Sequence, residues 1–299
     1  MAPTVSSRNH HYVPCFYLRG FCRDDGTFDV YDKQFDAFRK RPQYPSTAFF
    51  EKDKNTIAIR GEQSDEIERC YSRLESALSR LFDLIRSGVL SNEILQPEGI
   101  HLLKVHMAMQ FWRLPRMDSF SDQYLLSRTP ADLEHLCRIA IPTMPGQTVY
   151  DLIQTDKGFR HYFRSFWLPL ATFDLSRLIP AGMHWRVLDV ENPASWSNHL
   201  CSDNPFILLE PESLMAFSGP FVFPLSNSRL LVSHSISNAS LSFNPILSVK
   251  LSILHFLQAT RYVAATSRSY LERIIDFSRS YEDPGGRQRL EVEILQLVQ

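Results

Sequence analysis

Residues 64–88 read SDEIERCYSRLESALSRLFDLIRSG, and the fold class turns on this stretch. Ile67, Tyr71, Leu74, Leu78, Leu81 and Ile85 recur every three or four residues, the spacing of one helical face, and Gly88 follows as a stop. Upstream the pattern is different. Pro14 suits the first position of a short helix to Arg19, with Gly20 just past its end and an extended entry from His10 to Val13 that sends the two histidines to opposite faces. Asp24-Asp25-Gly26 reads as a turn. Phe28 to Tyr31 alternates as a strand, and Phe35 to Phe38 returns as its hairpin partner after a turn near Asp32-Lys33. Downstream, a helix begins near Pro97 and runs through Ile100, Leu103, Met107, Phe111 and Leu114, where Pro115 kinks or ends it. Thr129-Pro130 opens another through Leu133 and Cys137.

An aromatic-rich helix over Phe159 to Leu170 gives way to strands at Trp185 to Val190, Phe206 to Leu209, Phe221 to Leu225 and Leu230 to Ser233. Asn244-Pro245 then starts a helix expected to reach Ala264, and Ser267 caps a last one through Leu271, Ile274 and Ile275. The expectation is an α+β fold, with a central helical section flanked by small strand-containing sections and followed by carboxy-terminal helices. A single domain over residues 1–299 is expected, with the Pro- and Gly-rich segment near residues 141–146 as the candidate internal boundary.

Composition narrows the function class. The chain is 44% hydrophobic and 22% charged with a formal net charge of -1, so whole-surface attraction to nucleic acid or anionic lipid is excluded and such a partner needs a local patch. Five scattered cysteines form no C-x-x-C pair, which reads as reduced thiols with no disulfide partner in the cytoplasm. Met1 to His11 lacks the apolar stretch of a signal peptide. The run Pro245 to Leu257, interrupted by Lys250 and His255, is too short to cross a membrane, so no membrane partner is expected. No H-E-x-x-H, phosphate-loop, G-x-S-x-G or dinucleotide fingerprint occurs, leaving the metal, cofactor and partner unknown.

His106, Gln110 and Arg113 lie at i, i+4 and i+7, on one helical stripe. Ser202-Asp203-Asn204-Pro205 precedes a strand and has turn chemistry. The catalytic reading makes His11 the acid/base and Asp203 its orienting partner or a metal ligand, with Glu51 as a third member. Arg113 then contacts an anion, and Gln110, His106, His10 and Asn204 join it in binding substrate. The bland reading makes the same groups a turn and a set of buried polar struts.

These residues carry a resemblance. His10-His11-Tyr12-Val13-Pro14 with Phe16-Tyr17-Leu18, then Gln110 to Arg113 with Pro115, then Ser202-Asp203-Asn204-Pro205, resemble the uncharacterised family DUF4238 over most of the chain. The resemblance implies the integrity of a fold and no particular chemistry. The family's usual glutamine is Cys15 in this chain and the residue before its final proline is Leu114, which argues against Cys15 as a nucleophile.

Two other patterns merit weight. Lys33, Arg39, Lys40 and Arg41 interleave with Phe35, Phe38 and Tyr44, a composition suited to backbone contact and stacking with single-stranded nucleic acid, although Asp29, Asp32 and Asp36 lie close by. Arg128 and His135 have the separation of the pair in small helical ribonucleases of the HEPN class, but Pro130 interrupts the segment. Two functional expectations result: an intracellular enzyme acting on a phosphate-containing substrate, nucleic acid included, through His acid/base chemistry; or a non-catalytic binding or scaffold module whose polar motifs are structural.

Overall fold

The computed structural model describes residues 8–59, 62–136, 147–172, 179, 181–189, 199–208, 219–235 and 245–298. The candidate boundary near residues 141–146 lies outside them. The amino-terminal section holds β1 (Asn9–His11), α1 (Cys15–Leu18), β2 (Asp29–Asp32), β3 (Ala37–Phe38), β4 (Phe50–Lys52), β5 (Ile57–Ile59) and β6 (Glu62–Ser64). The helical section follows as α2 (Glu66–Arg86), α3 (Ser91–Ile94), α4 (Pro97–Arg113), α5 (Met117–Leu126), α6 (Pro130–Leu136), α7 (Val149–Thr155) and α8 (Lys157–Thr172). Then come β7 (His184–Asp189), β8 (Cys201–Ser202), β9 (Ile207–Leu208), β10 (Phe221–Ser226) and β11 (Arg229–His234), and finally α9 (Pro245–Gln258), β12 (Tyr262–Ala265), α10 (Arg268–Ser278) and α11 (Gly286–Val298). The architecture is α+β, as the alternation of sections predicts.

The strands pair antiparallel in small sheets ordered β1-β4, β5-β6, β7-β11-β10-β9 and β3-β2-β12-β8. The last of these joins distant parts of the chain, because β2, near the amino terminus, pairs with β12, near the carboxy terminus, in the register Val30↔Ala264 and Tyr31↔Val263. Alternation along the strands feeds two buried clusters. Val30 and Ala264 enter one that also takes in α1, α2 and α4, while Tyr31, Val263 and Ala265 enter the other, shared with α9, α10 and α11. The expected hairpin of β2 and β3 forms with Tyr31 opposite Phe38.

Three expectations are corrected. The helix expected to reach Ala264 ends at Gln258, and Tyr262–Ala265 is a strand, because side chains from two other segments take up the backbone groups just past the helix end. Gly20 stands just past α1, which ends at Leu18 with Arg19 as its cap, but it does not stop the helical path and has no positive φ. It sits inside a 3-10 turn over Arg19–Phe21, where an added Cβ would meet the Leu225 carbonyl and the Ser226 Cβ at 3.2 Å. Finally, Leu74 leaves the apolar stripe of α2: it is 43% exposed, and the half-buried Glu75 turns inward. The buried face is Ile67, Tyr71, Leu78, Leu81, Phe82 and Ile85.

That face assignment has a measurable consequence. Leu78→Ala is expected to destabilise the protein by about 2–5 kcal/mol in chemical denaturation, and Leu74→Ala to stay within about 0.5 kcal/mol. Equal losses would contradict the assignment.

Candidate functional site

The segment Ser202 to Pro205 is a clasp on the end of α9. Asp203 is 4% exposed, and its carboxylate accepts the backbone N–H of Thr260 at 2.8 Å, Arg261 at 2.6 Å and Tyr262 at 3.0 Å. Burial raises its pKa, and those three donors oppose the rise without cancelling it. The Asn204 Nδ2 donates to the Gln258 carbonyl at 3.1 Å, and the Gln258 Nε2 donates to the Asn204 carbonyl at 2.7 Å. His255 reaches the Pro205 carbonyl at 2.9 Å. From the other side the Lys33 Nζ donates to the carbonyls of Phe256 and Ala259, both at 2.8 Å, and lies 4.8 Å from the Phe256 ring centroid. Helix termini leave carbonyls without intrahelical partners, and here a lysine supplies the donors. Lys33 therefore belongs to this clasp, although its sequence neighbours suggest a surface patch.

A second polar group forms where β1, α2 and α4 meet. The Arg113 guanidinium is almost fully buried: it donates to the His11 carbonyl, stands 3.7 Å from the Glu75 carboxylate and lies over the Tyr71 ring at 4.2 Å. Its Nε, the His11 Nε2 and both amide atoms of Gln110 have no hydrogen-bond partner among the described residues. Burial, then the Arg113 charge, lowers the His11 pKa; burial raises that of Glu75, and Arg113 opposes the rise. The Cys15 thiol, donating to the Pro45 carbonyl at 3.5 Å, is pushed up to about 11 by burial and so stays protonated.

His106 packs among the rings of Phe16, Tyr17, Phe82 and Phe223 at centroid separations of 4.7 to 5.8 Å. Burial and then Arg113 lower its pKa to about 3, so it is neutral at physiological pH. His10 accepts from the Asn55 N–H at its Nδ1, 2.8 Å away, and the Asn55 side chain donates to Glu68. Glu51 pairs with Lys54 at 2.9 Å, and Lys54 also reaches Asp118. His11 and Arg113 thus come together, with Glu75 and Tyr71, whereas Asp203 is engaged at the end of α9. Among the described residues no hydrogen bond or ion pair joins Asp203 to His11. Arg128 lies over Tyr124 at 4.1 Å, and the side chain of His135 lies outside the described residues.

A third group was hidden in the sequence by the overlong helix. Arg39 and Arg261 lie over the Tyr262 ring at 5.3 and 4.6 Å, and Arg39 donates to the Tyr262 hydroxyl at 2.9 Å. Both approach the buried Asp32 carboxylate, Arg261 at 3.3 Å and Arg39 at 3.8 Å. One carboxylate facing two guanidiniums leaves positive charge uncompensated, and Lys40 and Arg41 follow on exposed chain. Beside Tyr262 a cavity of about 160 Å³ opens between β2, β12 and the chain entering β4. The missed signal was Tyr262-Val263 after Thr260-Arg261, a short aromatic and β-branched run that favours a strand.

Among the described residues no three or more His, Cys, Asp or Glu side chains cluster as metal ligands, and no helix is long and apolar enough to cross a membrane. A family model described as a protein of unknown function (DUF4238) matches residues 9–244, and the chain belongs to that family. No curated protein and no solved structure matches it.

The buried His106 makes stability depend on pH. Its folded pKa lies below the unfolded value near 6.5, so the unfolded chain binds the extra proton and stability falls as pH drops below that value. His106→Phe, which keeps the ring packing, should remove roughly 1.5–2 kcal/mol of the loss between pH 6.5 and pH 5. Urea denaturation at both pH values measures this, and parallel slopes for the two proteins would overturn it.

Proposed function

We propose that this DUF4238 member is a cytoplasmic binding module for a phosphate-containing partner, and that the residues of its three motifs serve mainly as struts. The observation that carries the reading is the pair of arginines held over Tyr262 by one buried carboxylate. A guanidinium offers a planar fork of donors that matches phosphate oxygens, and fixing its position beforehand reduces the entropy lost on binding. With a net charge of -1, the chain has no bulk field to recruit such a partner, so this local excess would do it.

The motif residues support the reading by their engagements. Asp203 accepts from three backbone N–H groups, Asn204 exchanges hydrogen bonds with Gln258, and Arg113 bridges β1 to α2. A carboxylate already holding three donors is poorly placed to orient an imidazole elsewhere.

A second reading keeps catalysis and draws on the group around Arg113. There a neutral His11 would act as base toward a phosphate ester, Glu75 with its raised pKa would act as acid, and Arg113 would hold the anion. Glu75, rather than Asp203, is then the carboxylate that meets the histidine's surroundings.

One experiment separates the two. Binding of inorganic polyphosphate is expected to weaken with salt and to fall at least about tenfold in the Arg39→Gln, Arg261→Gln double variant. Lys157→Gln, an exposed charge on α8, should leave it unchanged. No polyphosphate binding would overturn the module, and phosphodiester hydrolysis abolished by His11→Ala would install the catalytic reading instead.

A further inference from the structure

We infer that the cavity beside Tyr262 receives one base of a single-stranded nucleic acid while the arginines at its edge hold the adjoining phosphate. The inference rests on the binding reading above and names the partner's chemistry. Phe49, Phe50 and Tyr262 give the cavity aromatic walls, and Arg39, Gln43 and Thr47 contribute polar groups to its lining. Such a mixture suits a planar, apolar-faced ring with hydrogen-bonding edges better than it suits a lipid or a peptide carboxylate.

Size points the same way. An apolar cavity of ~150 Å³ admits one benzene ring, and this one measures about 160 Å³. The space holds one six-membered ring, so a pyrimidine base seats whole while a fused purine leaves its second ring outside the mouth. The backing is firm: Phe49 is 1% exposed, so its ring supports the cavity from the core and offers a ligand almost no surface, and it meets the Tyr262 ring at 5.8 Å in an edge arrangement. The polar groups are held as well. The Gln43 Nε2 donates to the Arg41 carbonyl at 2.7 Å, and the Thr47 hydroxyl donates to the Tyr44 carbonyl at 2.9 Å. The Gln43 side-chain carbonyl takes one contact from the Thr47 hydroxyl at 3.4 Å and the Thr47 oxygen accepts the Tyr44 N–H at 3.2 Å, so each oxygen keeps one lone pair for a base edge.

Phosphate placement follows from the charges. A nucleotide whose base enters the cavity puts its phosphate near the rim, where Arg39 and Arg261 share Asp32 and retain net positive charge. Exposed Lys40 and Arg41, next in the chain, extend that charge for neighbouring phosphates, and Tyr44, 55% exposed, offers a ring for stacking. A duplex cannot serve, because its bases are paired and stacked within the helix.

Fluorescence anisotropy with labelled short strands tests this. Oligothymidylate and oligouridylate should bind roughly ten times more tightly than an abasic strand of equal length, than oligoadenylate or than a duplex. Arg39→Gln should reduce the slope of log affinity against log salt by ~0.7, one phosphate contact on a single strand. Gln43→Ala, a half-buried site away from the main clusters, should narrow the pyrimidine preference with unchanged melting temperature. Equal binding of abasic and intact strands, with polyphosphate still bound, would overturn the base pocket and leave the anion-binding reading standing. Equal affinity for oligoadenylate would overturn the size argument. Uridine monophosphate competing as well as the strand would assign the site to a free nucleotide instead, and failure of the strands and polyphosphate alike would remove both readings.

Discussion

The end of α9 needs donors and acceptors from outside itself, and the way they are supplied organises much of the molecule. Lys33, from the turn after β2, donates to carbonyls at the helix end; Asp203, next to β8, receives the N–H groups that follow. Main-chain groups left unpaired in a protein interior cost roughly 1–3 kcal/mol each. The two side chains therefore fix where the helix stops and where β12 begins. Through β12 they join the amino-terminal hairpin to the carboxy-terminal helices in one sheet.

This junction also sets the proposed binding face. Arg261 and Tyr262 are two of the residues whose amides Asp203 holds, so the carboxylate that ends the helix also orients the guanidinium and the ring. Asp32, the last residue of β2 and opposite Tyr262 in the register, anchors the same arginine from the partner strand. Neither carboxylate has to touch a ligand to matter for binding. The group around Arg113 plays a comparable part elsewhere, tying β1 to α2, and the polar atoms it leaves unpaired among the described residues keep its chemistry worth testing.

Much of the fold was legible because it rests on periodicity. The α2 stripe, the β2 and β3 hairpin, the Pro97 start of α4 and the Ser267 cap of α10 all follow from local spacing and capping chemistry. Legibility failed where a distant group overrode a local one. Nothing near residue 260 reveals that a carboxylate from position 203 will break the ladder there, and nothing near Lys33 reveals a helix end awaiting a cation. Leu74 and Glu75 show a subtler failure, since both fit a helical face and only the cation at Arg113 favours the acid inside. For the site, His11 and Arg113 could be paired by residue type and Tyr262 lay in a short strand-like run masked by the longer helical pattern, whereas Glu75 and the meeting of Arg261 with Asp32 depended on packing to be seen.

Amide hydrogen exchange at Thr260, Arg261 and Tyr262 addresses the central claim most directly. If Asp203 is the clasp that ends α9 and positions the arginine and the ring, these amides exchange slowly in the wild type and much faster in Asp203→Asn, with α2 and α4 unaffected. Unchanged protection at all three would contradict the account.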